Sequence, residues 1–201
     1  MSAQETLAVV LAVAYIVLAI RENRWCWPAG IGSSLLYLPV FYDAALYMEA
    51  GLQLFYVAMA VYGWWAWRPA QREGAPGDGS AVLAIHRWPP RWHGAAVAAV
   101  AVLSLTSGWV LDRYTPAAAP YLDSFVTWSA VLTTWMVARK VLENWRYWFV
   151  IDGVTLGLAL QRGLNLTAAL FALYLALAVV GWRAWFARWK EMAAPKALQD
   201  A

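Results

Sequence analysis

The sequence predicts an all-α integral membrane protein with seven transmembrane helices, and three observations carry that prediction. Hydrophobic residues make up 63% of the 201 residues and charged residues only 13%. A soluble domain carries roughly a quarter charged residues, and the mean hydropathy here is +0.51. The apolar residues fall in seven long, continuous runs, without the alternation that a barrel strand requires. Finally, a pattern near the end of one run returns near the end of another. Tyr56-x-Ala58-x-Ala60-Val61-x-Gly63-Trp64-x-Ala66-Trp67 is matched by Tyr174-x-Ala176-x-Ala178-Val179-x-Gly181-Trp182-x-Ala184-Trp185, eight of the twelve positions being identical.

Taken in order, the spans are Thr6–Ile20, Trp27–Tyr42, Leu46–Trp67, Gly94–Leu111, Tyr121–Ala138, Trp145–Leu160 and Leu164–Ala187. Several are at the short end of the ~17–25 residues that cross a bilayer. Aromatic flanks, among them Trp25, Trp27, Trp67, Trp92 and Trp109, extend them into the interface. Residues 68–93 carry Pro69, Gly74, Pro76, Gly77, Gly79, Pro89 and Pro90, the mark of a flexible connection. Upstream of the repeated pattern, Asn23-x3-Trp27 is echoed by Asn144-x3-Trp148, at an offset longer by three residues. The fourth span has no counterpart. The plan is therefore two parallel three-helix repeats (1–67 and 121–187) joined by a cytoplasmic linker (68–93) and a linker helix (94–111), a 3+1+3 arrangement. The tail 188–201 is polar and expected to fray.

Basic residues set the orientation. Of the fifteen arginines and lysines, all but Arg113 and Arg162 fall on the segments that are cytoplasmic when the N-terminus is outside. The positive-inside rule thus predicts N-out and C-in. Their dispersal over helix ends, with a net charge of only +3, argues against a nucleic-acid partner. A single cysteine, Cys26, excludes an intramolecular disulfide and a cysteine metal cluster. His86 and His93 lie beside Pro89 and Pro90, where a solvated role is expected, so neither a metal nor a cofactor is predicted. No cleavable signal peptide is expected, because Met1–Glu5 lacks a basic stretch. No G-x-x-x-x-G-K-[ST] loop supplies a nucleotide-driven motor.

Duplicated membrane bundles commonly place a substrate site between their repeats at mid-membrane, and ionisable groups within the hydrocarbon usually mark such a site. Glu49, Gln53 and Tyr56 recur at four and seven residues and share a helical face. Asp152 follows Trp148 by four residues and Trp145 by seven, with Asn144 one turn before Trp148. Tyr174 repeats Tyr56. By this alignment Asp152 faces Ile31 and Glu49 faces Thr167, so the halves are chemically unequal. Two readings stand for Glu49: an intramembrane carboxylate, or a residue of the outer interface beside Asp43. Asp152 meets a ligand, pairs with Arg146 or caps a polar contact between helices. Trp64, Trp67, Trp182, Trp185 and Trp189 are expected at the membrane interface, as is Trp145, while Trp148 lies deeper. Gly63 and Gly181 allow close helix packing. Carboxylates beside aromatic faces suit a flat organic cation, such as a ribosylated pyridinium or a thiazolium.

The segment Trp145-x2-Trp148-x3-Asp152 resembles the W-x2-W-x3-D signature of the PnuC family of nicotinamide riboside transporters. Arg21-x-Asn23-x3-Trp27-Pro28 and Leu46-Tyr47-x-Glu49-x2-Leu52-Gln53-x2-Tyr56, ending in Tyr62-Gly63-Trp64-x2-Trp67, are also similar to that family. The resemblance covers nearly the whole chain apart from the linker and tail. It implies a SWEET-like seven-helix vitamin transporter of the bacterial inner membrane, assembled as a homotrimer. It also implies facilitated diffusion of nicotinamide riboside, trapped by phosphorylation for NAD biosynthesis, with Trp148, Asp152, Gln53 and Tyr56 at the substrate. Glu49 stands where many members have aspartate, and Val180 replaces the tyrosine of the first repeat. Relatives carry thiamine or riboflavin, which remain the alternative substrates. A membrane enzyme acting on an amphipathic substrate is the remote alternative.

Overall fold

Seven helices follow the seven apolar runs: α1 (Ala3–Ile20), α2 (Cys26–Asp43), α3 (Tyr47–Ala66), α4 (Pro90–Tyr114), α5 (Pro120–Ala138), α6 (Asn144–Gln161) and α7 (Asn165–Ala193). The structure is a computed structural model that describes residues 3–43, 47–68, 83–115, 119–161 and 165–193. Residues 69–82 of the linker, Arg162 and the tail from 194 lie outside the described residues. By length and hydropathy alone, three stretches among the described residues can cross a membrane: Ala3–Ile20, Pro90–Tyr114 and Thr167–Met192. The remaining helices are 18–20 residues long. At 1.5 Å per residue that is about 27–30 Å, the thickness of the hydrocarbon core. Their lower hydropathy has a cause. They bring Ser33, Ser34, Gln53, Thr133, Thr134, Asn144 and Asp152 into the interior, where all seven are buried.

Two boundaries differ from expectation. Helix α4 starts at Pro90 rather than Gly94, with Pro89 as its N-cap. Proline suits the first helical position, because its φ is already helical and its missing N–H has no intrahelical partner to lose. At the other end of the chain, residues 188–193 are the last turns of α7 rather than a frayed tail. There Phe186 stacks on both Trp182 and Trp189, with ring centroids 5.7 Å apart in each pair. Aromatic pairs at three- and four-residue spacing support helix.

Helix α1 packs on α2 and α2 on α3, while α4 packs on α5 and α6 on α7. The contacts α3–α5, α5–α6 and α1–α7 complete the bundle. Among the described residues, α4 packs along its length on α5 and meets α6 through His93 and Tyr147. It buries Ala96, Val100, Ser104 and Gly108, a four-residue stripe down one face. A Cβ on Gly108 would lie 2.9 Å from the Cα of Tyr121, so only glycine permits that approach. Val97, Leu105 and Trp109 on α4 are left exposed.

The ends of α1 and α5 are built alike, 118 residues apart. After α1, Glu22 N–H donates to Ala19 O and Asn23 N–H to Leu18 O; after α5, Lys140 N–H donates to Val137 O and Val141 N–H to Met136 O. This is the Schellman closure. It puts Glu22 and Lys140 at φ of 52° and 53°, a left-handed conformation that costs a non-glycine residue about 1–2 kcal/mol. The same spacing relates two close contacts. A Cβ on Gly63 would lie 2.2 Å from the Trp27 ring, and one on Gly181 would lie 2.5 Å from the Trp145 ring. Both glycines thus serve close packing, against an indole in each case. The structural partner of Trp27 is therefore Trp145. The echo of Asn23-x3-Trp27 in Asn144-x3-Trp148 is a coincidence of sequence, and no three-residue offset is needed.

The linker's described end is anchored, although Ala84, Arg87 and Pro89 stay exposed. His86 N–H donates to Lys140 O at 3.2 Å, and Leu142 N–H donates to His86 O at 2.8 Å. Glu143, buried at the start of α6, accepts from Arg87 Nε at 2.8 Å and Trp88 N–H at 3.2 Å. His93 Nδ1 lies 2.9 Å from the Tyr147 hydroxyl. The segment 83–89 is thereby bound to the helix that carries Trp148 and Asp152.

Candidate substrate cavity

A cavity of about 590 Å³ lies inside the bundle, lined by every helix except α4. Its walls carry a few hydrogen-bonding groups on a mostly aromatic and aliphatic surface, the usual constitution of a small-molecule site. From α2 come Ser33, Ser34 and Tyr37, and from α3 Gln53 and Tyr56. From α5 comes Thr134, from α6 Trp148, Asp152 and Thr155, and from α7 Thr167, Phe171 and Tyr174. Tyr15 of α1 packs over Gly30, where a Cβ would come within 3.1 Å of its ring. Ser33 is turned to its own half, donating from Oγ to Ala8 O at 2.9 Å.

Asp152 is the only charged residue among those lining the cavity. It is 6% exposed. Its i−4 neighbour on α6 is Trp148, also on the lining. The pairing with Arg146 does not occur; that guanidinium lies instead over the Trp182 ring, 4.1 Å from the centroid. No described residue hydrogen-bonds or ion-pairs with the Asp152 carboxylate. A buried carboxylate without a partner is costly, so the cavity is electrostatically incomplete.

Six of the eight residues singled out in the sequence meet here: Trp148, Asp152, Gln53, Tyr56, Trp145 and Tyr174. The other two do not. Glu49 stands in the first turn of α3, off the cavity lining, where a carboxylate suits the helix N-terminus. Asn144 is fully buried at the start of α6 and donates from Nδ2 to Val141 O at 2.6 Å, closing the turn after α5. Tyr15, Ser33, Ser34, Thr134 and Thr155 were missed. The spacing of 118 could have found part of this set. It places Ser34, not Ile31, opposite Asp152, and Gly30 opposite Trp148.

The cavity ends on a layer of indoles. Trp27 and Trp145 line its floor. Trp67 meets Trp27 with centroids 5.2 Å apart and Trp185 at 6.2 Å, and Trp185 meets Trp145 at 5.4 Å. Trp67, Trp145 and Trp185 are therefore not interfacial. They are 7%, 4% and 0% exposed. Trp67 Nε1 donates to Ala138 O at 3.0 Å and Trp185 Nε1 to Ala19 O at 3.2 Å, bonds that satisfy these polar groups inside the protein. Trp64 and Trp189 remain partly exposed, each facing an arginine: Arg24 lies 3.6 Å from the Trp64 centroid and Arg87 5.4 Å from that of Trp189.

A family profile described as "Nicotinamide mononucleotide transporter" matches residues 2–187. The chain belongs to this transporter family. Among its relatives is the riboflavin/roseoflavin transporter RibM of Streptomyces davaonensis, 28% identical over 188 residues, covering 92% of this chain and 85% of the relative. The nicotinamide riboside transporter PnuC of Escherichia coli K12 is 23% identical over 206 residues, covering 90% and 84%. The crystal structure of the vitamin B3 transporter PnuC superposes with a TM-score of 0.73 at 22% identity, over 94% of this chain and 82% of that one. The fold is thus shared with PnuC, and the resemblance read from the W-x2-W-x3-D segment is borne out. Membership also accounts for the apolar helices: this is a membrane protein of a vitamin-transporter family.

Proposed function

We propose that this protein takes up nicotinamide riboside across the bacterial inner membrane by facilitated diffusion. Two three-helix units, 1–67 and 121–187, rock about the cavity as the linker helix α4 holds them in parallel orientation. The observation that carries the substrate assignment is Asp152, a lone carboxylate without a protein partner on an aromatic-lined cavity. A pyridinium ring supplies the missing positive charge and stacks on Trp148, while Gln53, Tyr56 and Tyr174 offer hydrogen bonds to the carboxamide and ribose. Among the described residues, no lysine, arginine or histidine lines the cavity. A phosphate group would enter with two negative charges and nothing to neutralise them, which argues for the nucleoside over the nucleotide.

The N-terminus lies outside and the C-terminus in the cytoplasm, as the distribution of basic residues supports. The exposed apolar face of α4 is available to lipid or to neighbouring copies in a homotrimer. The test is calorimetric titration of the purified protein with nicotinamide riboside, nicotinamide mononucleotide, thiamine and riboflavin. Selective binding of the riboside supports the proposal. Selective binding of riboflavin, whose ring is neutral, would place the chain functionally beside RibM and remove the role given to Asp152.

A further inference from the structure

The two halves of the bundle are held together at one end by contacts that cross between equivalent positions. Lys140 Nζ meets Glu22 Oε2 at 2.7 Å, and Arg188 Nη1 meets Glu22 Oε1 at 2.7 Å. The indole bonds already described run in opposite senses beside them, Trp67 to Ala138 and Trp185 to Ala19. Among the described residues, the halves also pack where α1 meets α7 and α3 meets α5. From these observations we infer that the Glu22–Lys140 ion pair, with the two crossed indole bonds, is the latch of a gate that closes the cavity at its basic end. This rests on the transporter reading and adds the residues that control access at that end.

Three features mark a device under load rather than a static brace. Glu22 follows the C-terminus of α1, where the helix dipole disfavours a carboxylate, and both Glu22 and Lys140 are held left-handed. The ion pairs that Glu22 makes with Lys140 and Arg188, both across the gap, offset those costs together with the Schellman bonds. The ion pair is also screened from water, with side chains 14% and 9% exposed, so its loss is felt. Against it pull two orphaned donors. Trp27 Nε1 and Trp145 Nε1 are buried without a partner, on the cavity side of the same indole layer, and separating the halves would free both to find one. The closed arrangement is therefore finely opposed.

The chain carries its own reporter. Cys26, its single cysteine, is fully buried in the cluster formed by Trp27, Trp67 and Trp185. The test is the rate at which N-ethylmaleimide labels Cys26 in the full chain, with the thermal midpoint measured in parallel and Cys26→Ser as the blank. Glu22→Gln and Lys140→Gln should each accelerate labelling by about tenfold, which corresponds to about 1.4 kcal/mol lost from the closed state. The midpoint should stay within a few degrees of the parent, and Lys140→Arg, which keeps the charge, should label at the parent rate. Unchanged labelling in both glutamine variants would overturn the latch. So would faster labelling that appears only with a large fall in midpoint, since that describes a structural brace. Nicotinamide riboside uptake into proteoliposomes by the parent chain is scored separately. Its absence would defeat the nicotinamide riboside assignment whatever the labelling shows.

Discussion

Replacing Asp152 with asparagine changes one atom and one charge in the cavity, leaving shape and volume nearly constant. A bound pyridinium 4–5 Å from the carboxylate, at an effective dielectric near 20, is attracted by about 3–4 kcal/mol. Asparagine keeps a carbonyl oxygen and recovers part of that as a hydrogen bond, so the net loss is about 2–3 kcal/mol, or roughly 30- to 150-fold in Kd. Stability should move the other way. In the empty protein Asp152 is 6% exposed with no ion-pair partner, and removing an uncompensated charge holds or raises the melting temperature. Calorimetric titration with nicotinamide riboside, run beside thermal unfolding in the same detergent, reads both quantities. A Kd within threefold of the parent, from protein that unfolds normally, refutes the reasoning and makes Asp152 a bystander to binding.

The other expectations concern packing as well as binding. Trp148→Phe should weaken binding less than Trp148→Ala, because a smaller ring still stacks; equal losses in titration would assign Trp148 to packing. Gly63→Ala drives a methyl to 2.2 Å from the Trp27 ring, and Gly181→Ala one to 2.5 Å from Trp145. Each should destabilise by about 1–3 kcal/mol through overpacking, seen as a lower thermal midpoint. Gly153→Ala is the control: nothing lies within 4 Å of its Cβ position, and alanine favours helix there by about 1 kcal/mol, so its midpoint should not fall.

The helices were legible because a bilayer-length apolar run leaves little choice of structure, and Trp148 and Asp152 because a charge among such residues stands out. The misplaced tryptophans have a different cause. An indole at a helix end looks the same in sequence whether its N–H meets headgroups or a carbonyl of another helix. Trp185 reaches Ala19, 166 residues away, and no local pattern reports a bond of that range. Ser33, Ser34, Thr134 and Thr155 escaped notice for a related reason, since small hydroxyl residues inside helices commonly satisfy themselves on the preceding turn. Thr155 does so with Ile151 O at 2.9 Å while still lining the cavity. Glu49 is the reverse case: sequence left two readings open, and its place in the first turn of α3, off the cavity lining, favours the one at the helix end.

What the spacing of 118 residues preserves, and what it lets vary, bears on the ligand itself. It preserves the packing devices: Trp27 on Gly63 and Trp145 on Gly181, and the paired left-handed turns at Glu22 and Lys140. Around the cavity it preserves Tyr56 and Tyr174 but sets Gly30 against Trp148, Ser34 against Asp152 and Gln53 against Phe171. Across the first two of those pairs, α2 brings the small residue and α6 the large or charged one. A symmetric frame with that substitution pattern sets the Ser34 hydroxyl, beside a Gly30 covered by Tyr15, on the α2 side and charge with stacking surface on the α6 side. A ligand that is flat and cationic at one end and bulky with hydroxyl groups at the other satisfies both sides at once. A ligand uniform along its length would leave Asp152 uncompensated or the Ser34 hydroxyl unmet.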